Sequence, residues 1–129
     1  MRRWARAHVD AGGSAYQYYF TRDEPATENR SSRGATHTAE LYYMFNTLGA
    51  AERNWEDVDR RLADQMSSYW VNFARTGNPN GDGLPEWPQY TGDDNSEIMI
   101  LGAEVMAGTG TPPESLQFFD RYFETLLQE

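Results

Sequence analysis

Two histidines, seven serines and no cysteine bound the chemistry open to this chain of 129 residues. His8 falls among arginines on a helix-patterned opening stretch and reads as a solvated or packed helix residue. His37 differs in kind. It closes a long polar stretch directly before an apolar-periodic segment, with Gly34 and small or hydroxyl residues beside it, so its imidazole can be presented to a cleft. A general base needs that exposure together with a pKa near the working pH, which imidazole has without special tuning. Spacing alone leaves His37 open between such a base and an ordinary turn histidine. A base of this kind serves a nucleophile, and none accompanies it. Ser14, Ser31, Ser32, Ser67, Ser68, Ser96 and Ser115 all lie outside a G-x-S-x-G elbow, the strained strand-to-helix turn that exposes a reactive serine. Gly12-Gly13-Ser14-Ala15-Tyr16 comes nearest and fails where Tyr16 replaces the second glycine.

Other chemistries are excluded more directly. Without cysteine there is no disulfide, thiolate zinc site or thiol nucleophile. Asn78-Pro79-Asn80-Gly81-Asp82-Gly83 imitates the start of a calcium loop, but its twelfth position is Gln89 rather than a bidentate Glu, and Pro79 and Pro85 interrupt it, so it reads as a turn. Neither an H-E-x-x-H pair nor a glycine-rich phosphate loop is present, so no metal and no cofactor is expected. Asp93-Asp94 reads as a solvated pair. All eleven basic residues are arginine, scattered against 20 acidic ones for a net charge of −9, which argues against a nucleic-acid partner. The opening Met1-Arg2-Arg3-Trp4-Ala5-Arg6 is basic, but the apolar run of about 7–15 residues of a signal peptide does not follow it. No run approaches the roughly 20 apolar residues of a membrane span. A soluble chain without a signal peptide is expected, its compartment left open. Asn29-Arg30-Ser31 matches a glycosylation triplet, which matters only in a secreted protein.

The elements that must hold His37 are written in aromatic residues. Leu, Ile, Val and Phe together number only 20 of 129, near the compositional limit of disorder, yet aromatics make up 14%, which a disordered chain lacks. Six Ile and Val suit one or two buried strands, not a whole parallel sheet. A helix end is predicted over 2–11, stopped at Gly12-Gly13, with Trp4, Ala5, His8 and Val9 on one face. Tyr16, Tyr18 and Phe20 alternate as a strand, and a loop over 21–36 leads to His37. A short helix is predicted over 38–46 with Glu40 in its first turn. The clearest signal is Val58, Leu62, Met66, Tyr69, Trp70 and Phe73 along one face of a helix over 57–75, ended by Gly77 and Pro79, with Asp57 pairing toward Arg60 and Arg61. A turn-rich stretch precedes a hairpin of 97–101 and 104–107 around Gly102. A last helix is predicted from a capping box at Thr111-Pro112-Pro113-Glu114, burying Leu116, Phe119, Tyr122, Phe123 and Leu126. No linker divides the chain.

Gly34-Ala35-Thr36-His37-Thr38-Ala39-Glu40-Leu41-Tyr42-Tyr43-Met44-Phe45 resembles the histidine loop of the type-B carboxylesterase family (para-nitrobenzyl esterases, carboxylesterases and cholinesterases), whose pattern is G-x-x-H-G-x-E before an aromatic and apolar helix. The run from Met66-Ser67-Ser68-Tyr69-Trp70 to Thr76-Gly77-Asn78-Pro79-Asn80, with Trp87-Pro88 after it, is similar to that family's signature helix and turn. Two motifs in the right order are far more specific than either alone.

The resemblance implies an α/β class: the C-terminal portion of an α/β-hydrolase fold, with about four helices, one aromatic strand and a short C-terminal hairpin, the central sheet mostly missing. Residues 1–129 would be one C-terminal segment of such an esterase domain. It implies that His37 is the base of a Ser-His-Glu triad whose serine and acid lie outside this chain, and that Glu40 holds the loop behind it rather than acting as the triad acid. Thr38 stands where the family usually has glycine, and its branched side chain narrows the backbone choices beside the base. The partners implied are a small-molecule carboxylic ester in the intact enzyme and the upstream esterase segment. Alone, the chain is expected to be inactive. The alternative is a non-catalytic interaction module that associates with further copies of itself through amphipathic helices.

Overall fold

An apolar face recurring every three to four residues makes one long helix the spine of the molecule. In the computed structural model, which describes residues 2–29, 31–32, 34–93, 95–110 and 113–126 (side chains of 113 and 114 set aside), four helices flank a three-stranded sheet. Helix α1 is Arg2–Asp10, strand β1 Tyr18–Phe20, helix α2 Leu41–Met44, helix α3 Asp57–Thr76, strands β2 Ile98–Leu101 and β3 Val105–Gly108, and helix α4 Pro113–Leu126. A 3-10 turn at Leu48–Ala50 links α2 toward α3.

Along α3, Asp59, Leu62, Ala63, Met66 and Tyr69 are buried, the stripe anticipated from sequence with a carboxylate at its head. The stripe tapers: Val58 and Trp70 are half-buried and Phe73 is exposed. At the helix start, Asp59 reaches back to the Glu56 N–H at 2.8 Å, one half of a capping box. Gly77 ends the helix at φ 76°, its N–H returning to the Phe73 carbonyl at 2.8 Å, a left-handed cap that suits a residue without Cβ. The Asp57–Arg60 pair forms at 3.4 Å on the exposed face and adds little.

β2 and β3 make the expected antiparallel hairpin, with Met99 opposite Ala107. β1 joins β2 in parallel, Tyr19 beside Ile100, so the intervening chain is one long crossover carrying α2 and α3. Met99 and Leu101 project into the core against Leu62, Met66, Tyr43 and Tyr69. Trp87 closes the core from the turn-rich stretch: its indole N–H donates to the Gln17 carbonyl at 3.0 Å, and its ring meets Tyr69 edge-on at 5.2 Å. Asn80 holds that turn by bonding both the N–H and the carbonyl of Trp87. Edge-to-face aromatic pairs add about 0.5–1.5 kcal/mol each beyond area burial. That is how a core poor in Ile and Val closes.

Two expectations change. The helix after His37 is only Leu41–Met44, because Thr38 at φ 71° and Asn46 at φ 50° bracket it and left-handed residues cannot continue a right-handed helix. The opening helix forms where expected, though none of its residues is fully buried and Trp4 is 83% exposed. The apolar face of α4 is not buried either: Phe119, Tyr122, Phe123 and Leu126 are all exposed, since no described element packs over them. The capping box proposed at Thr111–Glu114 lies outside the described residues.

Candidate functional site

His37 is exposed and follows the loop that leaves β1, in a turn running directly into α2. The sequence around it dictates that turn. Gly34, at φ 81°, accepts N–H donation from both Glu24 (3.2 Å) and Thr36 (3.0 Å), which draws the far limb of the loop back onto its start. Ala39 donates to the Thr36 carbonyl and is buried, so the backbone just past His37 is anchored while the imidazole stays outside. Thr38 takes the left-handed conformation at φ 71°, and its hydroxyl donates to the His37 carbonyl. A β-branched residue there costs roughly 1–2 kcal/mol. The narrowing of backbone choice foreseen for this position is therefore a real conformational cost beside the candidate base.

Glu40 caps the start of α2 through its backbone, its carbonyl accepting from Tyr43 and Met44. Its carboxylate acts on Tyr18: the phenol is raised above its ordinary value first by burial and then by the negative charge of Glu40. Glu40 thus lies within electrostatic reach of β1, behind the His37 turn. Tyr18 in turn meets Trp70 of α3 edge-on at 5.3 Å.

The start of the loop is held by charge. Arg22 pairs with Asp59 at 2.7 Å and with Glu56 at 2.6 Å, and Arg53 pairs with Glu24 at 3.1 Å. Phe20 and Trp55 pack against the Tyr43 ring at 5.3 and 5.7 Å. Sequence reading missed this group. The signal was present in Glu56 and Asp59 three residues apart at a helix start, but two acids there look like ordinary dipole complements.

Several serines are engaged locally. Ser67 and Ser68 donate to the Asp64 carbonyl on α3, Ser14 accepts from Gln89, and Ser32 accepts from the Gly34 N–H. Among the described residues the His37 imidazole has no hydrogen-bonded partner, and no group of three or more His, Asp or Glu converges as metal ligands. His8 is exposed on α1 with its ring over Gly13, where an added Cβ would come within 2.3 Å of it. No helix among the described residues is long and apolar enough to cross a membrane.

Comparison with known proteins places this geometry in context. The family model described as "Carboxylesterase family" matches residues 1–119. Bovine carboxylesterase 4A is 34% identical over 118 residues, covering 91% of this chain and 21% of that protein. Among solved structures, an esterase from Clostridium hathewayi, described as hydrolysing aliphatic aromatic polyesters, superposes with a TM-score of 0.70 at 28% identity, over 83% of this chain and 21% of that one. A carboxylesterase from Geobacillus stearothermophilus gives 0.68 at 29% identity, over 89% and 24%. The chain spans about a fifth of the length of the curated relatives it matches. The expected fold class holds: four helices and a three-stranded sheet that form part of an α/β-hydrolase fold.

Proposed function

Because the chain belongs to the carboxylesterase family, we propose that it supplies the general-base histidine of a serine carboxylic-ester hydrolase. His37 takes the proton of a serine as that serine attacks the ester carbonyl, then returns it to the leaving alcohol. The serine and the acid of the triad come from esterase sequence outside this chain, and Glu40 steadies the His37 turn from the β1 side. The observation that carries the reading is the placement of His37: an exposed imidazole at the end of a pinned loop, with a buried residue and a helix start immediately behind it. The substrate class is a small carboxylic ester.

By itself the chain has a base without a nucleophile or an oxyanion hole, so only free-imidazole catalysis is expected of it. Hydrolysis of a p-nitrophenyl ester tests this. Saturable turnover by the chain alone that disappears in His37→Ala would overturn its inactivity. Mixing it with the upstream segment of a carboxylesterase should restore turnover that depends on His37, and failure to do so in a mixture shown to associate would overturn the base assignment.

A second reading, a self-associating module without catalysis, is favoured by the exposed aromatic residues of α4. Sedimentation of a strictly monomeric chain at high concentration would remove it.

A further inference from the structure

The segment that carries His37 leaves the sheet at Arg22 and rejoins the core at Tyr43, and both ends meet on one carboxylate. Asp59 is 0% exposed. Its Oδ1 accepts from Arg22 Nε at 2.7 Å and from the Tyr43 hydroxyl at 2.9 Å, and its Oδ2 accepts from Arg22 Nη2 at 3.2 Å and from the Glu56 N–H at 2.8 Å. Four donors use the full acceptor capacity of an ionised carboxylate, so a buried charge is tolerated without water. Arg22 lies upstream of His37 and Tyr43 downstream. The sequence between them is polar, its described residues before Leu41 form little regular structure, and closing a loop of that length carries an entropic cost that the shared carboxylate must offset. Secondary ties lie inside the closure, the Glu24 N–H on the Gly34 carbonyl and buried Ala39, and the Arg53–Glu24 pair adds one from outside it.

We infer that Asp59 is a positioning residue for His37: by binding Arg22 and Tyr43 together it closes residues 22–43 into a ring that sets where the imidazole is presented. The catalytic part of this inference rests on the reading of His37 as a base. A plainer role exists, since Asp59 also caps the first turn of α3, and the two roles separate cleanly. Tyr43→Phe removes a donor from the ring and leaves the cap bond to Glu56 untouched. Arg22→Gln removes the other end. Asp59→Asn keeps the shape but offers one acceptor oxygen and turns an NH₂ toward groups that are themselves donors.

Amide exchange on the intact chain, read segment by segment, is the test. Loss of one hydrogen bond to a buried charge should speed exchange in residues 34–43 about tenfold in Tyr43→Phe, with the second half of α3 and the β2–β3 hairpin changed by less than about twofold. Arg22→Gln should act in the same way on residues 21–29. The His37 ring signals, told from those of His8 by a His8→Gln background, should broaden or split in both variants. Exchange that rises uniformly through the chain, or only over residues 56–60, overturns the inference in favour of global stability or simple capping. If Asp59→Asn does not fold, the other two variants decide the matter. In a mixture made active by an upstream esterase segment, Tyr43→Phe should lower kcat about tenfold and leave KM within about twofold. No activity in a wild-type mixture shown to associate would count against the assignment of His37 as base, while the exchange measurement still decides the ring.

Discussion

Helices α3 and α4 carry the same kind of message and meet different fates. Each sets aromatic and aliphatic residues at helical spacing. In α3, Leu62, Met66 and Tyr69 are buried against the sheet and Trp87; in α4, Phe118, Phe119, Tyr122, Phe123 and Leu126 stand about half exposed. The difference does not lie in the helices but in what faces them. α3 has the β2 side chains, α2 and the Trp87 turn on its apolar side, whereas α4 meets α1 through a salt bridge from Arg2 to Asp120 at 3.3 Å, a polar contact that leaves its aromatic face open. Amphipathic periodicity says which face requires cover. It does not say that the cover belongs to the same chain.

The comparison is tested most severely at the polar head of α3. Asp59→Ala removes the shared carboxylate, leaves the Tyr43 hydroxyl without its acceptor and leaves Arg22 with Glu56 alone, a loss expected at about 3–5 kcal/mol in urea unfolding. A loss below about 1 kcal/mol would mean that the partners facing the head of α3 contribute no more than an exposed ion pair does. Met66→Ala, at a site of 0% exposure, should follow at about 2–5 kcal/mol through lost burial and the cavity left behind.

Titration sharpens the same contrast. Burial pushes the Asp59 carboxyl up, but Arg22, the Glu56 N–H and Tyr43 together hold it below its ordinary value of 3.8. A depressed folded pKa means that the stability Asp59 adds is complete above 3.8 and lost as pH falls below it. At the other limit, burial pushes the Tyr69 phenol up to about 12 from 10.0, so stability should fall as pH rises from 10.0 toward 12, when the unfolded chain ionises first. Urea midpoints taken across pH should bend at both limits, and Tyr69→Phe should lessen the alkaline bend, leaving the part due to Tyr43, whose phenol burial and Asp59 also raise.

How much of this was legible in the sequence follows from range. The long helix, its glycine stop, the aromatic strand, the hairpin and the placement of His37 before a helix are written in local spacing, and spacing was enough. The short α2 was misjudged because its apolar pattern continues through Asn46 while two left-handed residues, set by the turn around His37, cut it off. The exposure of α4 is not legible in its sequence because a stripe marks a face that needs cover and not the element that covers it. The Asp59 ring was invisible because its members are Arg22, Tyr43 and Asp59, joined only by the crossover that brings β1 beside β2. Nothing in their sequence spacing marks them as neighbours.

Beside the candidate base, Thr38→Gly should stabilise the chain by about 1 kcal/mol, because glycine takes φ 71° without the clash a branched Cβ suffers, offset partly by its greater freedom when unfolded. Thermal unfolding of the pair of proteins reads that difference, and destabilisation instead would mean that the Thr38 hydroxyl on the His37 carbonyl outweighs the strain.

The smallest effect is also the one that most directly tests the contrast between the helices. Phe119→Ser deletes an aromatic from the α4 stripe, and in α3 the equivalent change would remove a core residue. Because the Phe119 side chain is already 54% exposed, its replacement should alter stability by no more than about 0.5 kcal/mol, the scale of ordinary surface substitutions. If the unfolding midpoint instead falls by an amount like that of Met66→Ala, and does so more at high protein concentration than at low, then α4 is covered in solution by another molecule. A large fall independent of concentration would place the cover within the chain, and the two helices would differ only in degree.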